Sequence, residues 1–346
     1  MNIKQSGCAD GAVPLIRAFW RVMYCIRLKQ KCSRLSNGTG GNRQMSGHIF
    51  GGPDTAKKLR CLQDYLRAFS IALQNQGFAR IYIDAFAGSG SRTEVHPALP
   101  LLGPEYAEPI EVTTPGSALI AVETEPEFDG IILIEQDANR FADLKRLAAK
   151  YSARRIIPTK GDANDVVRRF CGNLGWHVPK RGRRGIRGVI FLDPYGMEVS
   201  WQTVEAIAKT RALDCWYFFP LSGLYRNAPH DPTKLDSIKQ ANLDRVLGAT
   251  DWRERWYEHD IQPADIFETR VNAVRRADVD AIEAYVKQRL ETVFEGGVLD
   301  PIRLHHRNRA PLASLFFAVS NPSRAAARLA MKIASHILNE GRSSQN

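Results

Sequence analysis

The chain has 346 residues, 44% of them hydrophobic, enough for one large α/β domain with embellishments or two small domains. Arg, Lys, Asp or Gly interrupts every apolar run well short of the roughly 18 residues that span a bilayer, so a membrane-spanning helix is excluded and a soluble, cytoplasmic protein is expected. The net charge of +11 invites a polyanionic partner, but residues 1–44 hold eight Lys and Arg against one Asp, leaving only +4 from Met45 onward.

That basic front has no secretory signal, because Pro14 and Arg17 break the run Ala12 to Ile16, and it ends in the polar stretch Ser36 to Asn42. We expect a disordered leader over 1–44 and a natural start at Met45; a nucleic-acid arm or a targeting peptide is the alternative. Of six cysteines, Cys61, Cys171 and Cys215 stand far apart in the body without C-x-x-C spacing, which points to reduced thiols and away from zinc.

Asp54 caps a helix predicted to run to about Gln76, with Leu59, Leu62, Leu66, Phe69 and Leu73 on one face. Phe78 to Asp84 reads as a buried strand entering the turn Ala85 to Gly90, whose small residues let a ligand approach the backbone. Residues 91–115 contain five prolines and little periodicity, and are read as an inserted loop of the kind that forms lids.

A helix from about Ser117, strand Gly130 to Glu135, helix Ala138 to Lys150 and strand Arg155 to Thr159 then alternate as a parallel sheet requires. A helix bearing Val166, Val167 and Phe170 precedes strand Gly188 to Asp193, which ends in Pro194-Tyr195-Gly196. Another helix with Trp201, Val204 and Ile207 leads to strand Cys215 to Phe219. Residues 234–294 read as a helical insertion, Pro301 to His305 with Leu315 to Ser320 as a closing antiparallel pair, and Ser323 to Leu338 as the last helix. The expected fold, over residues 45–346, is a class I methyltransferase-type Rossmann fold: α/β, with a mostly parallel central sheet, an antiparallel closing strand and a helical insertion.

In such sheets ligands bind beyond the carboxyl ends of the strands, and here each central strand ends on something small or polar. The first ends at Asp84 and a turn with Phe86, Gly88 and Gly90, the second at Glu135 and Asp137, the third just before Asp162, and the fourth at Asp193-Pro194-Tyr195. S-adenosylmethionine accounts for all four: its methionine part in the glycine turn with the ammonium on Asp84, its ribose hydroxyls on an acid after the second strand, and its adenine amine on an Asp. Asp137 and Asp162 read equally as helix N-terminal acids. A dinucleotide is the competitor, but no third glycine leads promptly into a helix, and the acid falls about 45 residues after the turn, not the usual ~20.

Asp193-Pro194-Tyr195-Gly196 resembles the Asp/Asn-Pro-Pro-Tyr/Phe motif of methyltransferases that modify exocyclic amines, with one proline where that motif has two. The resemblance implies that Asp193 and the Pro194 carbonyl hold the target amine while Tyr195 stacks on an extruded base; packing of Tyr195 on Trp201 is the structural alternative. Arg226, Asn227 and His230, after the fifth strand, are candidates to touch the target. The run Lys180 to Arg187 precedes the fourth strand, so a solvated loop at the opposite end is favoured over a nucleic-acid clamp. His305 and His306 with Arg307 and Arg309 could reach a target from the closing hairpin, and no His/Cys spacing suggests a metal.

Phe50-Gly51-Gly52, Lys58-Leu59, Tyr65-Leu66, Tyr82 to Gly88, Gly116-Ser117, Ile134-Glu135, Gly161-Asp162, Phe191 to Gly196 and Ser320-Asn321-Pro322 together resemble the three-Cys-motif partner proteins. This resemblance implies a bacterial methyltransferase-like protein encoded beside a three-Cys-motif protein that would be its partner. Two functional expectations result: an S-adenosylmethionine-dependent methyltransferase acting on an amine, with DNA or RNA the first substrate to test, and a noncatalytic S-adenosylmethionine-binding module of the three-Cys-motif protein.

Overall fold

The computed structural model describes residues 53–96, 110–265, 268–305 and 310–343, so the expected 1–44 leader and His306, Arg307 and Arg309 lie outside it. Helix α1 (Pro53–Leu73) starts with a proline, whose fixed φ suits the first turn. Of the predicted stripe it buries Leu62, Leu66 and Phe69 and half-buries Leu59 and Leu73, and it buries Tyr65 beside them.

The chain then alternates through β1 (Ala79–Asp84), α2 (Ser117–Glu123), β4 (Gly130–Glu135), α3 (Ala138–Lys150), β5 (Ile156–Lys160), α4 (Ala163–Asn173), β6 (Ile186–Leu192), α5 (Trp201–Lys209) and β7 (Leu213–Phe219). Helix α6 (Leu221–Asn227), α7 (Ser237–Leu247), α8 (Trp252–Trp256) and α9 (Val279–Glu291) follow, then β10 (Gly297–Val298), β11 (Ile302–His305), β12 (Pro311–Val319) and α10 (Arg324–Ser343). The eight-stranded sheet has the order β10-β12-β7-β6-β1-β4-β5, with β11 also on β12. Strands β7, β6, β1, β4 and β5 are parallel, β12 runs antiparallel to β7, and β10 and β11 run antiparallel to β12.

This is the class I methyltransferase-type Rossmann fold: a parallel sheet with one antiparallel strand inserted beside the fifth. From β1 the chain steps outward through β4 and β5, then returns to the other side of β1 for β6 and β7. The strand order therefore reverses between β1 and β6, and the crevice beyond their carboxyl ends is where such a sheet holds a ligand. Strand β4 is buried at every position and β6 at its last five, as strands covered by helices on both faces must be. Close approach at the centre depends on Gly188, where an added Cβ would sit 2.7 Å from Ile81 and 2.9 Å from Leu213.

Two segments correct the sequence reading. Within the inserted loop, β2 (Ser91–His96) and β3 (Ile110–Pro115) pair antiparallel, Ser91 opposite Pro115 and His96 opposite Ile110. Four of the five prolines fall in 97–109, outside the described residues, and Pro115 only ends a strand; the Thr- and Val-bearing flanks follow β propensity instead. The 234–294 insertion is helical at α7, α8 and α9 but carries the antiparallel hairpin β8 (Tyr257–Asp265) and β9 (Glu268–Arg275). Alternation at Thr269, Val271 and Ala273 fits a strand, and Pro263 and the dense charge masked it.

Candidate functional site

The carboxyl ends of β1, β4 and β6, with the turn after β5, open into one cavity of about 680 Å³. Its wall includes Phe86, Gly88, Gly90, Glu135, Asp162, Asp193 and Tyr195, so the structure brings most of the sequence-predicted site residues together. Helix α1 adds Thr55, Lys58 and Leu59.

The turn after β1 depends on backbone freedom, since Gly88 and Gly90 have φ of 59° and 84°. A Cβ on Gly88 would meet nothing within 4 Å, whereas one on Gly90 would lie 3.1 Å from Leu147. Gly88→Ala is therefore expected to cost only the left-handed backbone penalty of about 1–2 kcal/mol, and Gly90→Ala more; thermal melts of the two variants check the ranking.

Asp84 shapes this turn from behind its wall. Fully buried, it accepts hydrogen bonds from the Tyr82 hydroxyl at 3.1 Å, the Phe86 N–H at 3.3 Å and the Ser117 hydroxyl. Burial pushes its carboxyl up to about 6, against the Ser117 bond, with the nearby Asp193 charge adding to the rise. Asp84 thus braces the turn from off the cavity wall, where the expected direct contact with a ligand ammonium would need it on that wall.

Glu135 ends β4 almost wholly buried, with Oε1 accepting from the Asp137 N–H at 2.8 Å and lying 3.6 Å from the Arg140 guanidinium. Arg140, which no sequence motif marks, also lines the cavity. Asp137 caps α3, accepting from the N–H groups of Asn139 and Arg140 at 3.0 and 2.9 Å, and the Arg140 bond above all holds its carboxyl below the usual range. Of its two readings the helix cap is the one present. Asp162 is exposed, accepts from the Asp165 N–H at 3.1 Å and still borders the cavity.

Asp193 meets an unforeseen partner. The Lys58 ammonium donates to both carboxylate oxygens, at 2.8 and 2.6 Å, and sits 4.2 Å above the centre of the Phe218 ring. The side chains are 7% and 25% exposed, Lys58 and Asp193 respectively, so the ammonium reaches the carboxylate from its buried side. A signal existed in the sequence: Lys58, Leu62, Leu66 and Phe69 share one helical stripe, and a charge on an apolar stripe asks for a partner.

Pro194 is buried, and Tyr195 stands on the rim 75% exposed, which removes the alternative of packing on the buried Trp201. The Tyr195 N–H donates to Glu198 at 3.2 Å. Asn164, also unanticipated, ties this loop to α4 by donating to the Glu198 carbonyl and accepting from the Ser200 N–H and the Thr203 hydroxyl.

Asn227 does not border the cavity. Its amide donates to the Gly223 carbonyl and the Met197 sulfur, fastening α6 to the loop after β6, while Arg226 is exposed outside the cavity wall. The cavity wall therefore holds neither expected substrate residue: α6 turns Asn227 inward, which the chain order of β7 and α6 alone does not reveal, and leaves Arg226 on the surface. The basic run lies at the amino end of β6, opposite the cavity, with Arg183 bound to Asp129 and the Phe78 carbonyl. Among the described residues no cluster of metal-ligating side chains occurs, and no helix is long and apolar enough to cross a membrane.

No family model matches the chain, and no curated protein matches it, so the likeness to three-Cys-motif partner proteins rests on the residues quoted above. Among solved structures, a Legionella pneumophila protein with the family description DUF519 is 13% identical, over 80% of this chain and 90% of its own, with a TM-score of 0.43. The N-terminal domain of EvdMO1, solved with SAH bound, is 13% identical over 86% and 96%, with a TM-score of 0.37. An S-adenosylmethionine-dependent methyltransferase from Clostridium acetobutylicum is 8% identical over 75% and 92%, with a TM-score of 0.30. At such values the fold assignment rests on the strand order of the sheet itself.

Proposed function

We propose that the chain is an S-adenosylmethionine-dependent methyltransferase acting on an exocyclic amine in nucleic acid. The observation that carries this reading is the convergence, in one cavity at the sheet's reversal point, of the glycine turn, Glu135 and the Asp193-Pro194-Tyr195 segment. The wall also suits a sulfonium cation, since Glu135, Asp162, Asp193 and Glu198 outnumber Lys58 and Arg140.

In this reading Glu135 holds the ribose through Oε2, the oxygen its bond to the Asp137 N–H leaves over, and the Gly88 backbone lets the methionine part approach. When bound, the cofactor supplies an electrophilic methyl group. Asp193 and the Pro194 carbonyl accept N–H bonds from the target amine and so aim its lone pair, and Tyr195 offers an exposed ring on which a base can stack. Calorimetric titration with S-adenosylmethionine tests the cofactor site: the native chain should bind at micromolar Kd, and Glu135→Ala should weaken binding by about 30- to 100-fold, the worth of one or two charge-assisted hydrogen bonds. No binding to the folded native chain would sink the reading.

A second reading, a noncatalytic S-adenosylmethionine-binding partner of a three-Cys-motif protein, draws on the engagement of both Asp193 oxygens by Lys58. Co-purification with such a protein, together with absence of transfer to any acceptor, is its expected signature.

A further inference from the structure

Lys58 is held where it cannot easily retreat. Its ammonium is buried, bonded to both oxygens of Asp193 and seated over the Phe218 ring, and it springs from the packed face of α1. Leaving Asp193 would strip a largely buried cation of a carboxylate that it meets at both oxygens. A carboxylate offers about four lone-pair sites, so two remain on the more exposed side of Asp193 for an incoming N–H donor.

The charge matters as much as the geometry. An unpaired carboxylate at this position would attract an alkylammonium and hold it protonated, with no lone pair for transfer. Paired with Lys58, Asp193 presents a neutral dipole, and a second cation bound against it would lie close to the Lys58 charge. The other carboxylate behind it, Asp84, is spent on its own turn through Tyr82, Phe86 and Ser117, and Glu198 lies outward at the rim beside Tyr195. A nucleobase amine is uncharged at neutral pH and donates two N–H bonds, one to an acceptor position that Lys58 leaves open on Asp193 and one to the Pro194 carbonyl.

We infer that Lys58 is a positioning and specificity-determining residue: its ammonium, fixed on Asp193, orients that carboxylate and makes the acceptor end select an uncharged amine of the nucleobase type over an alkylammonium such as a lysine side chain. The inference rests on the methyltransferase reading above. In the step it serves, the amine lone pair forms the C–N bond as the C–S bond breaks, the bonding electrons leave with the sulfur, and the amine proton passes to solvent.

The test uses the full chain with methyl-labelled S-adenosylmethionine and two acceptors, a mixed-sequence single-stranded RNA and DNA pool and polylysine, with S-adenosylhomocysteine calorimetry in parallel. The native chain should label the nucleic-acid pool and leave polylysine unlabelled. Lys58→Met should lower kcat on the pool by about 30-fold or more with KM changed less than about threefold, and Lys58→Arg should recover most of the loss. Labelling of polylysine by the native chain, or an unchanged kcat in Lys58→Met, overturns the inference while leaving the methyltransferase reading intact. Cofactor-analogue binding without transfer to either acceptor overturns it together with the acceptor assignment, and absence of analogue binding overturns the whole reading. If Lys58→Met does not fold, the native chain's choice between the two acceptors and the activity of Lys58→Arg still decide.

Discussion

Asp193→Asn is expected to bind S-adenosylmethionine within about threefold of the native chain and to transfer methyl groups about 10²- to 10⁴-fold more slowly. The split follows from position. Asp193 follows β6, whereas the glycine turn follows β1 and Glu135 ends β4, so the proposed cofactor contacts do not pass through it. Asn is the informative substitution, because Ala would leave the buried Lys58 ammonium unpaired and cost about 3–5 kcal/mol. Asn keeps one oxygen for Lys58, loses the charge and replaces the other acceptor with an N–H donor, which faces the amine's own N–H and misdirects it. Single-turnover transfer to a nucleic-acid pool, with cofactor binding measured on the same preparation, checks the prediction. Transfer at the native rate would remove Asp193 from the chemistry, and parallel loss of binding would assign it to the cofactor.

How much of this was legible in the sequence depends on the range of the interaction. The alternation of buried strands and amphipathic helices fixes a parallel sheet, and a parallel sheet places every strand end on one side. That is why Gly88, Gly90, Glu135, Asp162, Asp193 and Tyr195 could be foreseen around one cavity. Side-chain direction at those strand ends was not legible. Asp84 and Asp137 satisfy local backbone N–H groups, a choice made by turn and cap geometry within three residues. Lys58 lies 135 positions from Asp193, so only the packing of α1 onto the sheet brings them together. The hairpins at 91–115 and 257–275 were hidden for another reason: prolines and dense charge interrupt their sequence patterns, and neither belongs to the eight-stranded sheet.

Replacing Asp214 with Asn is expected to stabilise the protein at pH 8 and to leave it nearly unchanged at pH 4. Asp214 is the second residue of β7, at the end of the sheet away from the cavity, and burial pushes its carboxyl up to about 7 despite a 2.7 Å hydrogen bond from the Tyr65 hydroxyl and the attraction of Arg187. In the unfolded chain the same group titrates near 3.8. The folded state therefore keeps a proton that the unfolded state gives up, so the group's favourable contribution is complete below about pH 4 and is lost as pH rises through about 7. Across that window the loss amounts to about 4 kcal/mol at most, a large share of the 5–15 kcal/mol typical of a domain. Asn still accepts from Tyr65, carries no charge at any of these pH values and removes the penalty; the lost attraction to Arg187 offsets part of the gain. Urea denaturation at pH 4.5, 6 and 8 should give curves for the two proteins that diverge with rising pH, with Asp84 common to both and so cancelling from the difference. Parallel curves would mean that Asp214 is ionised in the fold at all three pH values, with Arg187 and Tyr65 compensating its burial in full.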